Sequence, residues 1–144
     1  RGQDRQAEAE QTLKKALAVD PEDPACLYLL GSLRLHQQRY DEALDALSLS
    51  AKLAPDKPQT QLALGKTLVV KGQRQAAEAA FRKAIQLKPG WGEPHYQLAV
   101  VYATQQPPFM ELAQWHYQRA TGSGIARNPE LEKILETRKS AAAP

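Results

Sequence analysis

The sequence predicts an all-α protein built of antiparallel helix pairs, and three observations predict it. Pro21, Pro55 and Pro89 are spaced by 34 residues, and so are Ala9, Ala43 and Ala77, then Leu13, Leu47 and Phe81. Leu30, Leu64 and Leu98 keep the same interval, each followed by a small residue: Gly31, Gly65 and Ala99. Finally, 144 residues with 42% apolar side chains suffice for a short repeat array with a continuous core.

Each column has a physical reason to recur. Gly31, Gly65 and Ala99 are small where two helices of a hairpin must approach closely, and Ala43, Ala77 and Ala113 meet the same need on the second helix. Leu30, Leu64 and Leu98, with Leu47, Phe81 and Tyr117, are bulky groups that fill the space between pairs. The prolines fall just after the second helix, where a missing N–H and a fixed φ end it.

The elements follow in order. Residues 1–23 match only the second half of a repeat, through Ala9, Leu13, Ala16 and Pro21, with a helix expected near 5–19. Because the chain starts at Arg1 with no first helix for this half-repeat, it is expected to be a fragment of a longer array. Full repeats are expected at 24–57 and 58–91, with hairpins near 24–53 and 58–87. A degenerate repeat at 92–127, with its hairpin near 92–121, carries a two-residue insertion at Gln105-Gln106-Pro107-Pro108 and lacks the closing proline. Residues 128–144 form an expected capping helix and frayed tail. Asn128 is its N-cap, Pro129 its first position, and Glu130 and Glu132 precede Arg138 and Lys139 as the helix dipole favours. Leu131, Ile134 and Leu135 make the apolar stripe that would cover the last hairpin, while Ser140 to Pro144 are expected to fray.

These columns resemble the tetratricopeptide repeat family. The resemblance is carried by Leu27, Leu30, Gly31, Ala43, Leu47 and Pro55, then Leu64, Gly65, Leu68, Gly72, Ala77, Phe81, Ala84 and Pro89. The third copy keeps Leu98, Ala99, Tyr102, Ala113, Tyr117 and Ala120. The resemblance implies a right-handed superhelix whose first helices line a concave, peptide-binding groove. Helical spacing then selects Tyr28, Leu29, Ser32, Leu35 and His36 from the first copy, with Ala25 beside them. The second copy offers Gln59, Leu62, Ala63, Lys66, Val69 and Val70, and the third Glu93, Tyr96, Gln97, Val100, Ala103 and Thr104. Tyr28, Leu62, Lys66 and Tyr96 are the expected main contacts. The cationic clamp of the chaperone-binding subtype is missing, since its columns hold Tyr28, Ser32, Gln59, Ala63 and Gln97. The asparagine ladder of the glycosyltransferase-associated subtype is missing too, with Leu29, Ala63 and Gln97 in its place.

Other chemistry finds little support. No apolar stretch reaches the ~20 residues of a membrane span, so no membrane insertion of this chain is expected. Cys26 is the single cysteine, read as a packed small residue rather than a reactive thiol. His36, His95 and His116 are widely separated and lack partners at i+3 or i+4, so they are read as surface or packing residues and not as metal ligands. Gly122-Ser123-Gly124 reads as a helix end rather than a phosphate cradle. Trp91 reads as a hydrophobic staple at the start of a helix. Residues 58–91 carry six basic side chains against the single acid Glu78. Without interleaved aromatics they read as a solvated face, so nucleic acid is not the expected partner.

The sequence therefore predicts a scaffold and not an enzyme, with no cofactor, that binds an apolar or aromatic-rich peptide or helix of another protein. The alternative is a regulatory or assembly domain of a larger enzyme or secretion machine, its groove packed against its own chain or filled by self-association. The sequence does not fix its localisation.

Overall fold

A computed structural model of the chain describes residues 2–142, with side chains described to residue 137. Among these residues there are eight α-helices and no strand: α1 (Gly2–Val19), α2 (Pro24–His36), α3 (Tyr40–Leu53), α4 (Pro58–Val70), α5 (Arg74–Leu87), α6 (Gly92–Thr104), α7 (Met110–Gly122) and α8 (Pro129–Ala142). Two compact units, Arg1–Ala80 and Phe81–Pro144, divide within α5.

In the first unit α2 pairs with α3, α1 packs on α2, and α4 packs on both α2 and α3. α2 begins because Pro24 presets φ and the Asp23 carboxylate accepts from the N–H groups of Ala25 and Cys26 at 3.0 and 3.3 Å. The hairpin closes tightly at Gly31, where a Cβ would stand 2.5 Å from Leu47 Cγ. Ala43, Leu47 and Ala63 form the buried centre, with Tyr28, Leu35 and Leu64 packed against it. α3 ends at Leu53, two residues before Pro55. A buried cation ties three helices together: Arg34 on α2 pairs with Glu10 on α1 and, at 2.9 Å, with Glu42 on α3. The Arg34 guanidinium holds the Glu10 carboxyl below its usual range.

In the second unit α6 pairs with α7, and α8 touches both. Leu98, Ala99, Ala103, Ala113 and Ala120 are fully buried, and Tyr102 nearly so. The inserted turn is bridged by a bond from Phe109 N–H to Tyr102 C=O at 2.9 Å. α7 terminates through Gly124, whose φ of +100° only glycine adopts at ease, with Ile125 N–H returning to Ala120 C=O at 3.1 Å. That return turn explains Gly92, where a Cβ would lie 2.8 Å from Ile125 Cγ1.

Two expectations are corrected. Leu131 and Leu135 are each 4% exposed, but Ile134 is 37% exposed. Residues four apart share one line along a helix, whereas Ile134 is displaced to its flank. Trp91 is the N-cap residue of α6, one position later than a staple occupies, and its ring lies 5.0 Å from Lys88 Nζ. The Arg138 and Lys139 side chains, with Ala143 and Pro144, lie outside the described residues.

Candidate functional site

Within the first unit the sequence-selected residues of α2 and α4 separate into a floor and an exposed edge. Leu62 is 8% exposed and Ala63 is buried, so neither presents a contact surface. Tyr28 and Leu35 are half-buried because they pack on the Ala43–Leu47–Ala63 cluster. Ser32 and Lys66 are also half-buried, while Ala25, His36 and Gln59 are exposed. The exposed apolar edge is Leu29 at 51%, Val69 at 40% and Val70 at 53%. Lys66, Val69 and Val70 follow i, i+3, i+4 spacing and so share one side of α4. A cavity of about 360 Å³ opens where α2 and α4 begin, lined by Pro24, Tyr28, Lys57, Gln59 and Thr60 among others. Such a face sets exposed apolar side chains beside the cations Lys57 and Lys66.

Within the second unit Glu93, Tyr96, Gln97 and Val100 are half-buried, Ala103 is fully buried and Thr104 is exposed. Tyr96 is a hydrogen-bond partner within the fold: its hydroxyl accepts from Asn128 Nδ2 at 2.8 Å. Asn128 also caps α8, its Oδ1 accepting from Glu130 and Leu131 N–H at 3.0 and 3.2 Å, and its own N–H donates to Tyr117 Oη at 2.9 Å. One residue thus starts α8 and pins it, by its side chain to α6 and by its backbone N–H to α7. The Tyr117 hydroxyl donates to Glu132, whose carboxyl is held below its usual range by Arg127 first and by Tyr117 second. Burial raises the Tyr117 phenol.

The same unit joins two histidines that the sequence reading had kept apart. His95 on α6 and His116 on α7 are both buried, with their Nδ1 atoms 2.8 Å apart. Trp115 meets His116 edge-on at 4.9 Å and His95 at 5.9 Å, and Tyr102 stacks on His116 at 5.7 Å. Burial lowers the His95 pKa, and it pushes His116 down to about 4 with help from His95, Arg82 and Arg119. The signal that could have found the pair is the hairpin register, which sets α6 against α7 across the inserted turn. His36 is exposed and belongs to the first unit. Among the described residues no three His, Cys, Asp or Glu side chains could together hold a metal ion, and no helix is long and apolar enough to cross a membrane.

Paired helices with recurring small and bulky columns define a helical-repeat protein. Residues 1–58 and 58–90 each match a family described as Tetratricopeptide repeat. The chain belongs to the tetratricopeptide repeat family. Residues 77–129 also match a family described as Est1 DNA/RNA binding domain. Among curated proteins the chain is similar to Protein O-mannosyl-transferase TMTC1 of Homo sapiens, at 33% identity over 68% of this chain and 11% of that protein. It is also similar to the Peroxisomal targeting signal receptor of Eremothecium gossypii, at 32% identity over 92% of this chain and 24% of that protein. The chain thus spans a quarter or less of either relative. Among solved structures it is similar to MamA, with a TM-score of 0.68 and 27% identity over 86% of this chain and 67% of that one. The Pseudomonas aeruginosa PilF structure has a TM-score of 0.75 and 22% identity over 92% and 63%. The first repeat domain of RPAP3 bound to an HSP90 peptide has a TM-score of 0.73 and 20% identity over 87% and 97%.

Proposed function

We propose that this repeat chain is a protein-interaction scaffold that takes an apolar segment of a partner on the α2–α4 face of its first unit. The carrying observation is the trio Leu29, Val69 and Val70, exposed on the helices whose Tyr28, Ser32, Leu35 and Lys66 are half-buried. Exposed apolar side chains grouped on one face favour association by removing that area from water. The RPAP3 domain supports the general mode, since it holds a peptide on the same fold. Here Tyr28, Ser32, Gln59 and Ala63 replace a cationic clamp, so an apolar segment suits this face better than an acidic one.

The Est1 match supports nucleic acid less well than protein. Within that stretch Arg82 donates to Tyr102, Lys88 and Arg119 lie over Trp91 and Trp115, and Arg127 is paired with Glu132. Those cations and aromatics are engaged with each other rather than arrayed for phosphates and bases. A second reading, favoured by the greater length of both curated relatives, is that the bound segment belongs to the same polypeptide.

The test selects peptides on the immobilised chain from a displayed random library and measures their affinity by calorimetry. The triple variant Leu29→Ser, Val69→Ser, Val70→Ser should retain its helical spectrum and lose at least about tenfold in affinity, roughly 1.4 kcal/mol. A control at the exposed Leu49 and Leu53 of α3 should bind like the wild type. Selected peptides that bind the triple variant unchanged would overturn the proposal.

A further inference from the structure

The His95–His116 contact is a buried pair of titratable side chains in the third hairpin on which the acting charges, Arg82 and Arg119, are both positive. Its geometry restricts its protonation. With Nδ1 facing Nδ1 at 2.8 Å, one ring must donate and the other must accept through a bare nitrogen. One added proton can settle on the outer Nε2 of the donor ring and leave the bond intact. A second must occupy the accepting Nδ1, and two N–H groups then point at each other. The charges around the pair oppose even the first proton. Arg119 on α7 acts on both rings and Arg82 on α5 acts on His116. Tyr102 on α6 takes its hydrogen bond from Arg82. On α8, Glu132 is bound by Arg127 and Tyr117.

We propose that the His95–His116 contact is a proton-sensitive latch, which holds α6 against α7 while both rings are neutral and releases the third hairpin on acidification. Both rings have folded-state pKa values lowered by burial, so the contribution is fully present above the ordinary histidine value of ~6.5 and is lost as pH falls from there toward the folded value, about 4 for His116. Released from α7, α6 no longer presents Tyr96 to Asn128, so the seat of α8 loosens with the latch. The latch stands apart from the α2–α4 reading, because every residue in it belongs to the second unit.

Trp115, edge-on to both rings, supplies a reporter, because a protonated imidazole quenches a neighbouring indole. A Trp91→Phe variant of the full chain leaves Trp115 as its single tryptophan. Followed from pH 8 to 4, its melting temperature should fall below pH 6.5 by roughly 5–10 °C, and its folded-state emission should fall only as pH approaches about 4, where His116 takes its proton. Adding His116→Phe should abolish the emission step and most of the melting shift. Side-chain NMR of the unmutated protein gives a second reading, in which His95 and His116 titrate below the ordinary histidine value of ~6.5. The proposal is overturned if melting stays flat between pH 6.5 and 4.5, if the His116→Phe variant falls equally, or if His95 and His116 titrate at the ordinary histidine value of ~6.5.

Discussion

The first and third hairpins occupy the same repeat columns and use them differently. At the positions of His95 and His116 the first hairpin has Leu27 and Ala46, both buried. Where the first unit leaves Leu29, Val69 and Val70 in water, the second spends Tyr96 and Tyr117 on seating α8. The difference teaches that the 34-residue period fixes only the small and bulky columns that space the helices. Positions between them are free to carry a contact face in one copy and an internal polar network in another.

The comparison breaks most directly at α8. Leu135 is buried against the second unit and Ile134 lies on its flank, so Leu135→Ala should cost about 2–5 kcal/mol and Ile134→Ala less than about 1 kcal/mol. Equal losses in chemical denaturation would mean that α8 seats on a broader face than its buried leucines indicate.

Acid should separate the two units next. The Glu10 carboxyl in the first unit is lowered by Arg34, so its contribution is present above the ordinary carboxylate range and lost only below about pH 4.5. The histidine pair starts to lose its contribution near pH 6.5. Hydrogen exchange at pH 5, corrected for intrinsic rate, should therefore show α6 and α7 deprotected while α2 and α3 remain as at pH 7.5. Simultaneous deprotection of both hairpins would remove the distinction.

Asn128→Ala should follow, at about 1–3 kcal/mol, because it removes an N-cap together with a bond to Tyr96. Asn128→Asp should restore the cap but not the donor to Tyr96, and so recover part of the loss. The midpoint of urea unfolding measures both.

Much of this was legible in the sequence, for a definable reason. Columns repeated three times, such as Ala43, Ala77 and Ala113, declare themselves, and the helix ends follow from Pro55, Pro89 and Asn128 through local rules. What was hidden occurs once and acts at a distance. The His95–His116 contact needs the hairpin register, including the two inserted residues, before the rings can be placed opposite each other. Asn128 meets Tyr96 across 32 residues. Arg34 gave no sign of burial, because the carboxylates that stabilise it come from α1 and α3. Leu62 was misplaced as a contact because its column holds Tyr28 and Tyr96 in the other copies, and position on the helix alone does not distinguish floor from edge.

The smallest expected effect tests the column on which the comparison rests. Gly31 and Ala99 are equivalent, yet only the third hairpin has a methyl group there, fully buried. In the first, an alanine Cβ would stand 2.5 Å from Leu47 Cγ and 2.7 Å from its Cδ2, and Leu47 is itself fully buried. Gly31→Ala gains about 1 kcal/mol of helix propensity and loses about 1–3 kcal/mol to overpacking, for a net destabilisation on the order of 1 kcal/mol. The sign depends on Leu47 alone. In a Leu47→Ala background, which is itself destabilised by about 2–5 kcal/mol, the clash is absent and Gly31→Ala should become stabilising. A double-mutant cycle by urea denaturation reads this coupling directly. Additive costs would show that the glycine is required by something other than the approach of Leu47.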